Sequence, residues 1–464
     1  MNSGLKGNGW ASAIGLAEGE AEKLRVDEFE EPDEAEEGED AAAFDNPSLI
    51  VRRGATMRFT VAVTLPEGED PSILESNALV LSDKKGFGSV LIFQAADESG
   101  PEACATLSHS AEALELEVQL PDEMPVGEYR LNVVFGGRSW DNVALAEPER
   151  LLVLFNAWSP HGDEHLPDEA ACDEYVTMEE GIAHYGTWRR PGRMAWNYGQ
   201  HEPGVLAAAC KILSGLRESD RSSPVSVCRA VTRAINHQGA QDAGILSGDW
   251  SGDYQGEGER PEDPDAVWTS AEGKDHPANA QKPTHWNGSV EILSRWAKDG
   301  KPVAYGQCWV FAGITTSLLR CLGIGARQVT NFRSAHDTNG NRMIEQYYDE
   351  EGNKVCSCSS SLHTCAKSCA SSDSSVPPFP LQEDISADSI WNFHVWNEAY
   401  MARQDLPEQA SGVSLGGWQA VDATPQEVSG GAYQCGPASV AGIRLGLSLP
   451  FDSDFLIGEV NADV

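Results

Sequence analysis

The sequence predicts a multidomain protein in which an N-terminal β-sandwich precedes an α+β domain. Short alternating apolar runs separated by Gly, Pro and Asp dominate the chain from about residue 46 to residue 156, a pattern typical of antiparallel strands. Beyond residue 156 apolar residues recur at helical spacing, and strand-like runs return after Arg327, a mixture typical of α+β domains. A chain of 464 residues is also too long for one hydrophobic core, so at least two folded units are expected.

Composition shifts divide the chain into three predicted segments. Residues 1–42 are acidic and poor in large apolar side chains, so burial cannot offset the entropy of ordering them and a disordered tail is expected. Residues 43–156 form the predicted sandwich, and residues 157–464 form the predicted α+β domain. Two stretches of that domain are predicted loop insertions: 253–285, rich in Gly, Pro, Glu and Asp, and 356–380, rich in Ser and Cys.

The strand signals of the sandwich are runs in which apolar and polar residues alternate or β-branched residues cluster. These runs are Leu49–Val51, Phe59–Val63, Val90–Phe93, Leu114–Val118 and Tyr129–Val134. In the second domain, Val205–Leu213 and Val225–Ile235 instead have the apolar spacing of helices. We therefore expect strands before residue 156 and both helices and strands after it.

Charge limits the classes of partner. The chain carries 33 Lys and Arg against 72 Asp and Glu, a formal net charge of -39. Nucleic acid and anionic membranes would be repelled, whereas divalent cations would be attracted. No apolar run approaches the roughly 18 residues that a membrane span needs, and the N-terminus lacks a basic start followed by an apolar run. The expected location is the cytoplasm, or release without a signal peptide.

The 11 cysteines are odd in number and irregularly spaced, which does not predict a disulfide framework. Cys356, Cys358, Cys365 and Cys369 cluster with His363 in the Ser-rich stretch. Their spacing is not a standard zinc-ribbon pattern. An inert surface loop, a local disulfide and a zinc site therefore all stay open for this cluster.

Cys308 is the candidate nucleophile. It follows a Gly-Gln turn and begins a run with helical spacing that closes at Gly323. The apolar residues on one side of that predicted helix are Val310, Phe311, Ile314, Leu318 and Leu322. Unpaired N–H groups and the positive dipole end at a helix N-terminus favour a thiolate, as a catalytic cysteine requires. A buried structural cysteine is the alternative on this observation alone.

His394 and Asp422 are the candidate base and the carboxylate that orients it. Residues 391–398 and 417–424 both have strand-like composition. If these strands are antiparallel neighbours, Asp422 can accept the second N–H of His394 while the other ring nitrogen faces Cys308. The three segments together predict a Cys308–His394–Asp422 catalytic triad.

The order of these segments resembles the animal-type transglutaminases, the protein-glutamine gamma-glutamyltransferases. The blocks that carry the resemblance are WNGSVEILSRW (286–296), YGQCWVFAG (305–313), LRCLGIGARQVTNFRSAHD (319–337), WNFHVWNEAY (391–400), GGWQAVDATPQE (416–427), YQCGPASV (433–440) and EVNAD (459–463). The likeness extends from about Asn46 to the last residue. It implies an immunoglobulin-like N-terminal β-sandwich followed by a papain-like α+β transglutaminase core. In this family two C-terminal β-barrels follow the core, and they are expected to be absent here because the sequence stops at Val464, as either a fragment or a short form would.

The resemblance also implies an acyltransferase. Cys308 would attack the carboxamide of a protein-bound glutamine, ammonia would leave, and a lysine or polyamine amine would take the acyl group from the thioester. His394 can protonate the departing ammonia and deprotonate the incoming amine. Trp250, in GDWSGDY (248–254), matches a family tryptophan that donates its indole N–H to the oxyanion. The implied partners are proteins bearing glutamine and lysine, and polyamines or other primary amines.

One candidate calcium site is complete in the sequence. Asp337, Asn339 and Asn341 present side-chain oxygens at alternate positions, as a calcium loop does. Met343 can add only its carbonyl oxygen. By the resemblance, Asp388 adds a further ligand to the same site, so Ca²⁺ is the expected cofactor. Solvation of an acidic loop is the alternative.

Other family features are incomplete. Asn461 and Asp463 match ligands of a second family calcium site whose acidic partners would lie beyond Val464. A third site would fall near residues 236–242, which lack the usual Asn/Asp-rich run. The core-side aromatic contact for GTP has no counterpart near residues 216–222, so regulation by GTP is not expected.

Two other classes of function stay open. A catalytically silent scaffold protein can keep the transglutaminase fold, but its nucleophile would be expected to be replaced. A cysteine protease or amidase can share the triad, but it would not account for the sandwich, the calcium loop or Trp250. Amine incorporation measured against peptide cleavage separates these functions.

Overall fold

The structure is a computed structural model that describes residues 49–62, 77–83, 90–94, 104–109, 113–135, 149–237, 244–250, 267–269, 275–277, 280–348, 388–406 and 412–460. The chain divides into two compact units. The first takes its described residues from Met1–Pro167 and Ala209–Pro224, and the second from Asp168–Ala208 and Val225–Val464. The predicted acidic tail and the 356–380 insertion with its cysteine cluster lie outside the described residues. The predicted domain boundary at residue 156 stays a prediction.

The first unit is built from two β-sheets. Its strands are β1 (Leu49–Arg52), β2 (Thr56–Ala62), β3 (Asn77–Asp83), β4 (Val90–Gln94), β5 (Cys104–His109), β6 (Ala113–Gln119), β7 (Gly127–Phe135) and β8 (Glu149–Leu154). Among the described residues they form a sheet in the order β1-β8-β7-β3-β4 and a second sheet in the order β2-β6-β5. Four of the five predicted strand runs fall wholly on these strands, and Phe59–Val63 falls on β2 as far as Ala62, since Val63 lies outside the described residues. Two sheets of this kind are typical of a β-sandwich, and its immunoglobulin-like character stays a prediction.

One strand pair of this unit departs from the antiparallel expectation. β1 and β8 pair in parallel, with Leu49 opposite Leu151, whereas the other pairs of both sheets are antiparallel. A parallel pair needs a long crossover between its strands. The intervening strands β2–β7 supply that crossover, which no local pattern in β1 or β8 predicts.

A buried ion pair lies in the first unit. Arg53 Nε donates to Glu164 Oε1 at 2.9 Å, and both side chains are buried. A second guanidinium nitrogen of Arg53 donates to Glu164 Oε2, and the third donates to the Ser222 carbonyl at 2.8 Å. The Asn156 backbone N–H adds a bond of 2.7 Å to Glu164. The charges are therefore compensated by hydrogen bonds, as buried charges must be.

The strands of the second unit are β9 (Glu180–Thr187), β10 (Arg190–Asn197), β11 (Asn236–His237), β12 (Leu246–Gly248), β13 (Val267–Thr269), β14 (Asp275–Pro277), β15 (Val303–Gly306), β16 (Ala326–Phe332), β17 (Ala335–His336), β18 (Ser389–Ile390), β19 (Phe393–Met401), β20 (Gly417–Asp422), β21 (Val428–Ser429), β22 (Ala432–Tyr433) and β23 (Cys435–Ser439). The sheet that positions the site has the order β16-β19-β20-β23, and all of its pairs are antiparallel. β11, β12 and β15 form a parallel sheet. β9 and β10 form a hairpin.

The α-helices of the described chain are α1 (Glu169–Cys172), α2 (Pro203–Leu213), α3 (Glu218–Arg221), α4 (Pro224–Ile235), α5 (Val290–Asp299), α6 (Cys308–Cys321), α7 (Val440–Arg444) and α8 (Ser453–Val460). The helices predicted at 205–213 and 225–235 are confirmed as α2 and α4. Within the part of the chain that the structure describes, no helix combines the length and the apolar character needed to cross a membrane.

Helix α6 is buried on all sides, not only on its predicted apolar side. Its hydroxyl side chains can be buried because they bond to carbonyl groups one turn earlier. Thr315 donates to Phe311 at 2.7 Å, and Thr316 donates to Ala312 at 3.0 Å. The apolar spacing marks only one side of this helix, because the hydrogen bonds that satisfy its polar residues exist only once the helix has formed.

The sheet presents different helices to its two faces. Asn397 of β19 donates to the Ala312 carbonyl of α6 at 2.9 Å, whereas its neighbour Trp396 packs in a cluster with Ile443 of α7 and Phe455 of α8. Alternate residues of a strand point to opposite faces. His394 has the parity of Trp396 and therefore lies on the α7–α8 face.

Candidate active site

Cys308 is the first residue of α6 and is buried. The preceding Gln307 has an extended backbone and occupies the N-cap position. Its side-chain amide donates to the Asp249 carbonyl at 2.9 Å, and the Asp249 N–H donates to the Gly306 carbonyl at 3.1 Å. These two bonds fix the turn from β15 into the helix. The thiol is therefore held at a helix N-terminus, where backbone N–H groups lack partners within the helix.

His394 and Asp422 form a buried hydrogen-bonded pair. Strands β19 and β20 are antiparallel neighbours, as the sequence predicts, and His394 Nε2 lies 2.8 Å from Asp422 Oδ2. The other carboxylate oxygen of Asp422 accepts the Thr424 N–H at 2.8 Å. Asp422 is thus fixed from the far side, and it fixes the plane and tautomer of the imidazole in turn.

Nδ1 is the His394 nitrogen that remains for Cys308. Within ordinary hydrogen-bond geometry Nδ1 has no partner among the described residues. The Cys308 thiol is nevertheless close enough to act on the imidazole and to contribute to raising the His394 pKa. Catalytic hydrogen bonds are often long in unliganded proteins and tighten with substrate. The arrangement can therefore move a proton between Sγ and Nδ1.

Sequence reasoning missed a second carboxylate at this histidine. Glu459 of α8 is buried, and its Oε1 lies 3.2 Å from His394 Nε2. The amide nitrogen of Gln426 donates to the same Glu459 oxygen at 2.6 Å and also donates to Asp422. The sequence indicated this role only in part. Glu459 is the first residue of the EVNAD block, but only the later residues Asn461 and Asp463 were predicted to have a function, as calcium ligands. Its contact with His394 depends on where α8 packs.

The three titratable groups share charge in a defined way. Burial by itself would lower the His394 pKa, but Asp422 and then Glu459 outweigh it, so that pKa lies well above its usual range. Burial would raise the Asp422 pKa, but the histidine holds it below its usual range. Burial first and the Asp422 charge second raise the pKa of Glu459 to about 8.

Asp422 is therefore the ionised partner of an imidazolium, and Glu459 carries the proton at neutral pH. The hydrogen bonds agree with this assignment, because Asp422 accepts bonds at both oxygens whereas Glu459 Oε2 has no partner among the described residues. Fewer donors stabilise a charge on Glu459.

These side chains do not form a ready metal site. His394, Asp422 and Glu459 have ligand atoms close enough to bind an ion. The Gln426 amide nitrogen, however, lies 3.2 Å from His394 Nε2 and bonds to both carboxylates. A donor group already occupies the position where the three ligands converge.

Trp250 lies beside the nucleophile helix. Its ring stacks on Phe311 of α6, with centroids 6.2 Å apart and planes 7° apart, and it covers Gly248, where an added Cβ would lie 2.3 Å from the ring. Its side chain is 44% exposed. An indole in this position combines a fixed ring with access to solvent.

The strand before the nucleophile contacts a residue of the predicted 253–285 insertion. His276 of β14 is buried, and its Nδ1 lies 3.1 Å from the Tyr305 hydroxyl. Burial and the nearby Asp249 raise the pKa of Tyr305 to about 12. Trp286 donates its indole N–H to the Tyr305 carbonyl at 2.9 Å. The insertion is therefore not only surface loop, since it helps to hold the residue three positions before Cys308.

Three predicted calcium ligands of the first site, Asp337, Asn339 and Asn341, lie in one loop, and the fourth, Asp388, contacts that loop. Asp337 and Asp388 are buried, and their carboxylates accept backbone N–H groups of this loop. Arg342 donates to Asp337 at 2.6 Å and Thr338 donates to Asp388 at 2.8 Å. The side-chain oxygens of the two asparagines bond to backbone N–H groups of the same loop.

This donor set fits a hard cation. The loop supplies one carboxylate and two amide oxygens, and Asp388 supplies a second carboxylate. Each oxygen that accepts one N–H keeps a second lone pair, which can bind an ion. Asn461 and Asp463 of the second predicted site lie outside the described residues. At the position of the third family site, which is not predicted to be intact here, the buried Asn236 donates to the Ala423 carbonyl at 2.8 Å, so its amide has a structural role.

The sequence is similar to known proteins of one family. Residues 275–423 match the model of the transglutaminase-like superfamily. The chain is 35% identical to protein-glutamine gamma-glutamyltransferase E of Bos taurus over 90% of this chain and 54% of that protein. It is 33% identical to annulin of Schistocerca americana over 90% of this chain and 49% of that protein.

A solved structure gives the same result at the level of the fold. The crystal structure of red sea bream transglutaminase matches with a TM-score of 0.67 and 32% identity, over 91% of this chain and 56% of that chain. The chain spans about half the length of the relatives that it matches. Residues 275–423 thus match the transglutaminase-like superfamily, and over 90% of its length the chain is similar to animal protein-glutamine gamma-glutamyltransferases.

Proposed function

We propose that this protein is a calcium-dependent protein-glutamine gamma-glutamyltransferase that joins protein glutamine to lysine or polyamine amines. The observation that carries the proposal is the buried His394–Asp422 pair at 2.8 Å, beside a cysteine at a helix N-terminus. The similarity to enzymes of that name supports the same reaction.

In the first half of the proposed reaction, Cys308 Sγ forms a bond to the side-chain carbonyl carbon of a bound glutamine. The sulfur attacks after its proton has passed to His394, and the resulting imidazolium gives that proton to the departing nitrogen, so that ammonia leaves as the thioester forms. Asp422 stabilises the imidazolium throughout. Glu459 lies 3.2 Å from the same ring nitrogen and has a pKa raised to about 8, so at pH 7 Asp422 supplies most of the negative charge beside the imidazolium.

In the second half, a primary amine replaces ammonia. His394 removes a proton from the amine as its nitrogen attacks the thioester carbon, and the thiolate leaves. The product is an isopeptide bond when the amine is lysine. Water in place of the amine gives deamidation. The backbone N–H of Cys308 and the indole N–H of Trp250 are the proposed donors to the oxyanion of both tetrahedral intermediates.

Calcium is the proposed cofactor of the loop formed by Asp337, Asn339 and Asn341 together with Asp388. Bound there, it would supply positive charge that compensates the two buried carboxylates. The backbone bonds of the loop already orient those carboxylates. Through Asp388, the loop is tied to the segment that enters β19 and carries His394.

A silent scaffold or a peptidase is less well supported. The nucleophile is present and its partner histidine is paired with Asp422, which a scaffold protein does not require. A peptidase would not require the calcium loop. Proteins that bear glutamine and lysine are therefore the proposed substrates.

The test is calcium-dependent incorporation of a labelled primary amine into a glutamine-rich acceptor protein. Cys308→Ala should abolish incorporation and deamidation while circular dichroism and thermal unfolding stay unchanged. Cys210→Ala, the same change at a half-buried cysteine of α2, should keep the wild-type rate. More than trace activity in Cys308→Ala would exclude the thioester mechanism, and cleavage of the acceptor would favour a peptidase.

A further inference from the structure

We propose that the β9–β10 hairpin is the docking surface for the glutamine-bearing substrate and selects segments with acidic side chains a few residues from the reactive glutamine. This inference rests on the proposed function and names a substrate class for it. It is carried by the charge, the exposed rings and the position of the hairpin.

The charge of the hairpin is opposite to that of the chain. Arg189 and Arg190 lie at its turn and Arg193 lies on β10, and all three are exposed. Among the described residues none of these guanidinium groups has an ion-pair partner, although Arg189 lies over the Trp188 ring at 5.2 Å. In a protein with a net charge of -39, the adjacent Arg189 and Arg190 provide a local site for anionic groups. Arg193 lies on the opposite face of the hairpin from Arg190.

The hairpin also exposes large apolar side chains. Trp188 is 65% exposed, Ile182 is 52% exposed and Tyr185 is 43% exposed. Tyr185 lies on the same face of the hairpin as Arg190, which pairs with Thr187, whereas Ile182 lies on the opposite face. Exposed apolar side chains beside charge are typical of an interaction surface. Tryptophan, tyrosine and arginine are also the residues that contribute most to binding at such surfaces.

A row of aromatic rings connects the hairpin to the candidate active site. The centroids of Tyr185 and Phe393 lie 6.4 Å apart, and those of Phe393 and Trp309 lie 6.3 Å apart. Phe393 precedes His394 in the chain, and Trp309 follows Cys308. The Thr330 hydroxyl also donates to the His184 carbonyl at 2.9 Å, which ties the hairpin to β16. These contacts place the hairpin beside the strand that carries His394 and the helix that begins at Cys308.

The strand geometry sets the spacing of the acidic side chains. Arg190 pairs with Thr187, two residues beyond Tyr185, which is about 7 Å along the strand. The path from Arg190 to Phe393 is this distance plus the 6.4 Å between the Tyr185 and Phe393 rings. An extended peptide covers that path with roughly four residues. Acidic residues about three to five positions from the glutamine would therefore reach the arginines.

An acidic peptide fits this surface better than nucleic acid or an anionic membrane. A short segment lies within the Debye length of about 8 Å and therefore senses mainly the local arginines. An extended polyanion would face the acidic remainder of the protein as well, and would be repelled by it.

The experiment compares two glutamine peptides of equal length, one with Asp and Glu four residues from the glutamine and one with Lys at the same positions. The variant is Arg189→Ser/Arg190→Ser. The control is Arg233→Ser/Arg444→Ser, which removes the same charge from exposed arginines of α4 and α7. KM is measured by incorporation of a labelled amine, and Kd is measured by fluorescence anisotropy of the labelled peptides.

We expect KM and Kd for the acidic peptide to rise about tenfold in the hairpin variant and to stay within about twofold in the control. The lysine peptide should respond to neither change, and the difference should shrink at high salt. Equal KM and Kd values for the acidic peptide in wild type and hairpin variant would overturn the proposal. Binding to vesicles with 30% phosphatidylserine is measured as well, and a hairpin variant that loses vesicle binding but keeps peptide binding would also overturn it. If no protein transfers amine at all, the proposed function fails, and anisotropy still decides the docking surface.

Discussion

His394 has two ring nitrogens in different surroundings, and this difference determines what the residue can do. Nε2 is held by Asp422 at 2.8 Å with Glu459 at 3.2 Å, whereas Nδ1 has no partner of ordinary geometry among the described residues. The nitrogen engaged by carboxylates keeps its proton, and the other is left for exchange with the thiol. Each carboxylate can be tested separately.

Asp422→Asn should leave the protein folded and lower kcat for amine incorporation by roughly 10³-fold or more, because an amide no longer selects the tautomer with the proton on Nε2. Asp405→Asn is the matched control, since Asp405 pairs with Arg403 at 2.8 Å and has no contact with the histidine. Wild-type kcat in Asp422→Asn would reduce the role of Asp422 to packing.

Glu459 gives a dependence of stability on pH. Its pKa is raised from 4.5 to about 8 in the folded protein, so between these pH values the folded state binds a proton that the unfolded state releases. The contribution of Glu459 to the free energy of unfolding is complete below about 4.5 and is lost as the pH rises toward 8.

In urea unfolding measured from pH 5 to pH 8, the stability of wild type relative to Glu459→Gln should therefore fall as the pH rises. The amide mimics a carboxyl group that stays neutral, so the variant lacks this loss. Parallel curves for the two proteins would show that Glu459 does not hold a proton in the folded state.

At the scale of elements, the candidate calcium loop and the catalytic residues are connected through β17 and α8. His336 immediately precedes Asp337, and its Nδ1 lies 3.2 Å from the Gln426 side-chain oxygen. Arg342 of the loop pairs with Asp454 of α8, the helix that carries Glu459. A cation in the loop would therefore act on segments that also hold the histidine and its carboxylates.

Asp337→Ala and Asp388→Ala should each weaken calcium binding by roughly tenfold or more, since a hard cation depends on charged oxygen ligands. The calcium concentration needed for amine incorporation should rise in parallel, while alkylation of Cys308 by a small reagent stays largely unchanged. Binding is measured by titration calorimetry. Asp299→Ala, at the exposed end of α5, should leave the titration as in wild type, and an unchanged titration in both loop variants would exclude this loop as the site.

At the scale of the whole molecule, different interactions stabilise the interiors of the two compact units. The second relies on a helix buried on every side, whereas the first contains the buried Arg53–Glu164 pair. Removal of one partner from a buried pair leaves an uncompensated charge, which is more costly than loss of the attraction itself. An ion pair exposed to water does not have this cost.

Glu164→Gln should lower the free energy of unfolding of the first unit by about 3–5 kcal/mol. Glu117→Gln is its control, because Glu117 pairs with Arg58 in the same unit but Arg58 is 53% exposed. That change should cost less than about 1 kcal/mol. Urea unfolding of both variants measures the difference, and equal losses would mean that the buried pair is replaced by water without penalty.

The local part of this protein could be predicted from sequence. The helix start at Cys308, the strands that carry His394 and Asp422, and the five strand runs of the first unit depend on periodicity and turn residues within about ten positions. Those signals are local because hydrogen bonds of helices and pleating of strands are local. The order of the motifs also gave the family, since each block could be recognised without knowing where it lies in space.

Only the tertiary structure decided the contacts between residues that are distant in the chain. Glu459 reaches Gln426 across 33 positions, His276 reaches Tyr305 from a predicted loop, and β1 pairs in parallel with β8. A carboxylate that titrates near neutral pH has the same letter in the sequence as one that lies in water. Burial and neighbouring charge make the difference, and both are set by the packing of α8 against the sheet, which no local pattern records.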